Sequence, residues 1–294
     1  MQQPVLQRPP VSLDTNNAAE VAFHSLTNLA DDQINLLEAA LVIAQQEKPD
    51  LDIDYYLQKV DGFADAISEQ LPAQPDVEDV LHALNDFLFT QQGYVGNVDN
   101  YYDASNSLID EVIDKKLGIP ITMSILYMAI GRKLGLDLQG IAFPGHFLVS
   151  LTVGAGVIIL DPFFNGISLS EEELRLRLDE LQDVETDDSD EFYDYLEPAS
   201  NKLIIERLLR NLRAIYIEQD QLQQAIDTTN KIITLDPDDA EEYLLRGSLY
   251  RRAECVRFAL HDYQHYMSFN AGSDVDDEVR AEIIKLQKNI PVLH

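Results

Sequence analysis

The chain has 294 residues, 46% apolar and 8% aromatic without tryptophan, which gives room for two or three domains with proper cores. Lys and Arg number 21 against 52 Asp and Glu, a net charge of −31. Affinity for phosphate backbones depends on basic side chains, so nucleic acid and anionic membranes are excluded as partners. The acid excess reads either as a solubilising surface or as a face for a basic partner. A single cysteine, Cys255, cannot form an internal disulfide. MQQPVLQRPP lacks the charged and apolar segments of a signal peptide, and no apolar run reaches the length of a membrane span. A soluble cytoplasmic protein is expected.

Residues 1–24 carry an aperiodic, proline-containing start and are expected to form a flexible tail. Residues 25–95 read as a helical bundle. One face carries Leu36, Leu37, Ala40, Leu41 and Ala44, a second Tyr55, Tyr56, Val60 and Phe63, and a third Val80, Leu81, Leu84, Phe87 and Leu88. Gly93–Ser107 is rich in Gly, Asn, Asp and Tyr and reads as a loop. Helical spacing returns at Leu108, Val112 and Ile113. After Gly118-Ile119-Pro120 comes an almost wholly apolar helix, Ile121–Leu134, that must be buried and that Gly135 terminates. Leu138–Phe143, Phe147–Val153 and Val157–Leu160 read as strands, with a hairpin turn at Val153–Gly156. A helix followed by such strands implies an α+β core over 96–182 with an antiparallel sheet.

Glu171–Glu197 holds thirteen acidic residues against two arginines. Its first half keeps helical spacing, and 183–200 is expected to be an acidic linker. The last third, 201–294, repeats itself. Leu212, Tyr216, Ala225 and Thr229 recur one 34-residue period later as Arg246, Tyr250, Ala259 and Tyr263, the period of tetratricopeptide helical repeats. Val275–Leu286 is the expected capping helix.

The chemistry, if any, lies between the apolar helix and the strands. A nucleophile on a helix N-terminus, a histidine on one strand and an aspartate on its neighbour is a common build for thiol hydrolases and acyl transferases. Here the helix start carries Pro120, which is tolerated because its missing N–H is one the helix leaves unpaired. Thr122 and Ser124 lie one turn in; a hydroxyl needs a base within about 3 Å to attack, so Thr122 is a weak substitute. His146 sits in Pro-Gly-His-Phe, and Asp161 ends an apolar run before Pro162. A bare buried carboxylate is costly, so a His146–Asp161 hydrogen bond is expected whether or not it catalyses anything. Tyr101, Tyr102 and Asn106 either line a pocket over the helix start or belong to a capping loop, with Asn106 or Ser107 as N-cap. Among six scattered histidines only His261 and His265 share a helix face, and no Gly-rich phosphate loop is present, so neither metal nor cofactor is expected.

YYDASNSLIDEVIDKKLGIPITMSILYMAIGRKLGLDLQGIAFPGHFLVS, followed by LDPFFNGISLS, resembles the SirB family, in which a transglutaminase-like core precedes C-terminal tetratricopeptide repeats. The resemblance covers about residues 25–270 and implies a papain-like fold without implying an activity. Registered on Arg132 and Gly135, it puts the catalytic cysteine position of the wider superfamily on Pro120 and the other two triad positions on His146 and Asp161. Two functions compete. One is a non-catalytic adaptor, a pseudoenzyme that binds a protein or peptide, basic if the acidic surface is a recognition face, through the core (Tyr101, Tyr102, Asn106) and the repeats (Tyr216, Tyr250). The other is a hydrolase or acyl transferase using a His146–Asp161 dyad with water or Thr122. A weaker third is a small-anion site at the Gly118–Thr122 helix start.

Overall fold

The computed structural model describes residues 16–181, 189–269 and 274–289, and the chain divides into two compact units at residues 205 and 206. The first unit begins with α1 (Asn16–Thr27), α2 (Leu36–Glu47), α3 (Ile53–Ser68) and α4 (Val77–Asn85). Their starts follow from side-chain caps. Asn35 accepts the N–H groups of Leu37 and Glu38, Asp52 accepts that of Tyr55, and Asp76 and Asp79 cap α4 reciprocally. α1 corrects the expected flexible tail over 1–24: from Asn16 the chain is helical, because Ala19, Phe23 and Leu26 supply a buried face. Residues 1–15 lie outside the described residues.

A π-helical turn, Asp86–Gln91, prolongs α4. Next come β1 (Val95–Gly96), α5 (Ile109–Lys115) and β2 (Leu117–Gly118), with β1 and β2 pairing in parallel. The expected cap of α5 by Asn106 or Ser107 does not form. Leu108 occupies that position without a side-chain bond, because both polar residues belong to a preceding 3₁₀ turn. α6 (Pro120–Lys133) follows, with every residue from Pro120 to Met128 buried. It packs on α2, α3, α4 and α5 on one side and on the sheet on the other.

That sheet orders β3 (Leu138–Ile141), β4 (Leu148–Val153), β5 (Gly156–Asp161) and β6 (Ile167–Leu169), all antiparallel. β6 was not legible as a strand, since three residues are too few to carry an alternation. Register pairs Ser150 with Ile159, Ile159 with Leu169, and Asp161 with Ile167. The period of two then divides the sheet. Val149, Leu151 and Leu160 share one buried face, and Leu148, Ile159 and Leu169 the other. This second face packs on Leu174 and Leu178 of α7 (Glu171–Asp179) and on Phe192 of α8 (Ser189–Asp194). The expected acidic linker over 183–200 is therefore corrected from Ser189 onward. Phe192 is an apolar anchor, and Pro198 bridges to Ile141 at the β3 edge. Residues 183–188 of that expected linker lie outside the described residues.

α9 (Asn201–Glu218), α10 (Leu222–Leu235), α11 (Ala240–Arg252), α12 (Val256–Phe269) and α13 (Asp274–Asn289) complete the chain. In the second unit, α10 to α13 pack each on the next around Tyr243, Ala259, Tyr263, Tyr266, Val279 and Leu286. Ala225 and Ala259, one repeat apart, are both fully buried. Gly247 lets α12 come close, since a Cβ there would sit 2.7 Å from the Tyr263 ring. Arg246 grips Asp262 through two bonds of 2.7 Å and reaches Asn230 at 2.9 Å, tying three helices together.

Candidate functional site

His146 is delivered by a tight turn. Its N–H donates to the Phe143 carbonyl at 3.1 Å, and the turn needs Gly145 at φ +66°, a conformation that side chains disfavour. Asp161 ends β5, where Pro162 turns the chain into a short 3₁₀ segment. The two side chains meet: His146 Nε2 lies 3.0 Å from both carboxylate oxygens. With Nε2–H donated to Asp161, a neutral imidazole carries its lone pair on Nδ1.

Asp161 is 0% exposed and has more partners than a simple dyad would give it. The N–H groups of Phe163 and Phe164 donate to Oδ1 at 3.2 and 3.4 Å, and Arg177 Nη1 donates to Oδ2 at 2.8 Å. Burial by itself would raise the carboxyl's pKa. The His146 bond and charge, then those of Arg177, outweigh it and hold Asp161 below the usual carboxylate range. Arg177 is the functional-site residue that sequence reasoning missed. It lies sixteen positions from Asp161 in a run dominated by acid. Its signal was its phase: one position before the buried Leu178, on the helix that covers the sheet face bearing Asp161.

Around the dyad the walls are aromatic. Phe163 meets the His146 ring edge-on at 5.8 Å and is itself buried; Phe164 stacks on it at 6.1 Å and is 46% exposed. Phe163 also presses on β1: a Cβ on Gly96 would fall 2.5 Å from its ring. The imidazole is thus backed by a phenyl ring wedged against the strand pair that leads into Pro120. A second network steadies the same turn. Tyr127 donates to Asn85 Oδ1 at 2.7 Å, and Asn85 Nδ2 to the Gly166 carbonyl at 3.3 Å. Burial raises the Tyr127 pKa, so its hydroxyl stays a donor.

The start of α6 looks different. Pro120 is buried at the first helical position. Thr122 is 0% exposed; its hydroxyl donates to the Asn106 carbonyl at 2.7 Å, and its oxygen accepts the Ile119 N–H at 3.1 Å. This corrects Thr122 as a candidate nucleophile, because its proton is bound to a carbonyl rather than offered to a base. Ser124 is also buried, with no hydrogen-bond partner among the described residues. Asn106 is corrected as a binding residue. It is 1% exposed and holds its own loop, donating to the carbonyls of Asn100 and Tyr101 and accepting from Asn97. Tyr102 is exposed and meets Tyr101 edge-on. In the repeats Tyr216 is buried, which removes it as a recognition residue, and half-buried Tyr250 stacks on Phe258 at 5.2 Å. Among the described residues no group of acidic, His and Cys side chains has metal-binding geometry, and no helix is long and apolar enough to cross a membrane.

Comparison with known proteins agrees with this architecture. A model of the transglutaminase-like superfamily matches residues 54–210, and a tetratricopeptide repeat model matches 212–287. A UPF0162 protein of Xylella fastidiosa (strain Temecula1) is 33% identical over 90% of this chain and 94% of its own. The UPF0162 protein YchA of Escherichia coli (strain K12) is 25% identical over 92% of this chain and 100% of its own. Protein SirB1 of Salmonella typhimurium (strain LT2) is 22% identical over the same two shares, 92% and 100%. With its sheet, its His–Asp pair and its helical repeats, the chain belongs to the transglutaminase-like superfamily, among relatives that include the UPF0162 proteins and SirB1.

Proposed function

We propose that this protein is a non-catalytic transglutaminase-like adaptor, which binds a protein or peptide partner through its core and its repeats. The observation that carries the reading is the state of the α6 start. Pro120 stands where the resemblance puts the thiol, and the hydroxyl one turn on is bound to a backbone carbonyl. The polar half of the site supports the same reading. In a working triad the carboxylate orients the imidazole and stabilises its charged form. Here Arg177 takes part of the carboxylate, so its charge is shared with a permanent cation. Helical repeats in general present extended surfaces to partners, which fits the second unit.

The test has two arms on the full-length chain. Amides, esters and glutamine acyl donors are screened with the natural protein and with His146→Ala, and both are expected to stay at the uncatalysed rate. A peptide-display selection is expected to yield binders with saturable calorimetric isotherms. Turnover that depends on His146, or a selection that yields no saturable binder, would overturn the adaptor reading. One observation favours a second reading, a hydrolase in which the dyad activates water: the His146 side chain keeps 15% exposure beside a sealed carboxylate. The same activity arm decides between them.

A further inference from the structure

Arg177 is the group whose hydrogen-bonding capacity this site leaves most open. A guanidinium carries a planar fork of N–H donors. Among the described residues, Arg177 uses one nitrogen, Nη1, on Asp161. Glu173, one turn earlier on α7, feels the Arg177 charge but makes its hydrogen bonds as the reciprocal cap of Ser170, 2.7 Å from that residue's N–H nitrogen and 2.7 Å from its hydroxyl. The side chains of Arg177 and His146 are 29% and 15% exposed, while the carboxylate that holds both is sealed from water. Phe164 lies against each of them, 6.1 Å from the imidazole and 5.8 Å from the guanidinium carbon, with much of its ring in solvent. One buried carboxylate thus holds an imidazole and a guanidinium beside an exposed phenyl ring in a single small surface.

We propose that Arg177, His146 and Phe164 form a recognition site for a carboxylate attached to an apolar group, namely the C-terminal residue of a bound peptide. The open part of the guanidinium fork takes the carboxylate, for which its planar geometry is suited. The phenyl ring takes the terminal side chain, an aromatic one best because offset or edge-on ring contacts add to the area buried. Asp161 does not touch the ligand; it is the anchor that keeps both side chains in place. The inference rests on the peptide-binding reading above and says where the peptide ends.

The experiment titrates isotopically labelled full-length protein with three probes, following the ring resonances of His146 and the side-chain resonances of Arg177. The probes are N-acetylphenylalanine, its amide, and a blocked Ala-Glu-Ala amide whose one acid is the glutamate side chain. Saturable shifts are expected with the free acid, with affinity at least tenfold weaker for the other two. Phe164→Ala, an exposed change that leaves the charge network intact, is expected to weaken the acid at least threefold, and Arg177→Gln at least tenfold. If Arg177→Gln unfolds, Phe164→Ala and the acid-to-amide ratio still decide. No saturable binding of the acid, equal binding of acid and amide, tighter binding of the glutamate probe, or undiminished binding by Phe164→Ala would each overturn the proposal. Those outcomes leave the adaptor reading standing, since peptides can dock elsewhere on the chain. His146-dependent turnover would sink the adaptor reading instead.

Discussion

The two halves of the site keep polar groups for different reasons. At the start of α6 every hydrogen bond of Thr122 closes locally, onto Ile119 and Asn106, and proline fills the first position without loss because a helix leaves that N–H unpaired. At the end of β5 a carboxylate lies fully out of water and draws in an imidazole, a guanidinium and two backbone N–H groups. In the first half a proline leaves no backbone group short of a partner. The second cannot lose its histidine without leaving a buried charge short of a partner. A retained His–Asp pair is therefore weak testimony for catalysis in this fold, since electrostatics alone would preserve it.

That contrast is tested most severely at Asp161. Asp161→Ala leaves Arg177, His146 and two N–H groups without their acceptor, and removing one partner of a buried charge network costs about 3–5 kcal/mol. Chemical denaturation should show that loss; a change below about 1 kcal/mol would mean the network is not what holds the turn. The pH dependence sharpens the point. The Asp161 carboxyl is lowered from an ordinary 3.8, so its contribution is fully present above that value and is lost as pH falls through the folded pKa. Asp161→Asn lacks this titration. The stability gap between natural protein and Asp161→Asn should narrow below about pH 4, as the carboxylate takes up its proton. A gap that widens in acid would reverse the assignment.

Much of this was legible in the residues. The apolar run after Pro120 could only be a buried helix, Phe147–Val153 read as a strand, and the 34-residue recurrence named the repeats. The His146–Asp161 contact followed from the cost of an unpaired buried carboxylate. What stayed hidden shares one property, dependence on tertiary neighbours. Arg177 sits in an acidic stretch whose composition suggests solvent, and nothing local says that its helix covers the Asp161 face. Phe192 is one apolar residue in a run of acid, enough to anchor α8 only because Leu174 and Leu178 prepare its pocket. Tyr216 and Asn106 carry groups typical of binding surfaces, yet both are buried in their own folds.

The nucleophile half should answer mutation as a structural element. Thr122→Val keeps the shape of the side chain while leaving the Asn106 carbonyl and the Ile119 N–H without a partner, which costs about 1–3 kcal/mol. The shift in denaturation midpoint should come with no change in the affinity of any peptide selected on the natural protein. Loss of binding at unchanged stability would instead make Thr122 a ligand-facing group and reopen this half as a site.

The smallest effect belongs to the loop over that helix start. Tyr102 is 66% exposed and its ring meets that of Tyr101 edge-on, so Tyr102→Ala should alter stability by about 0.5 kcal/mol or less. Asn106 holds the loop through Asn97, Asn100 and Tyr101 and passes that order to α6 through its carbonyl. If Tyr102→Ala weakens a selected peptide severalfold while the fold is unmoved, the loop is part of the recognition surface and Asn106 is what aims it. If peptide affinity is untouched, the loop only seals the start of α6, and recognition by the core falls to the Arg177 side of the dyad.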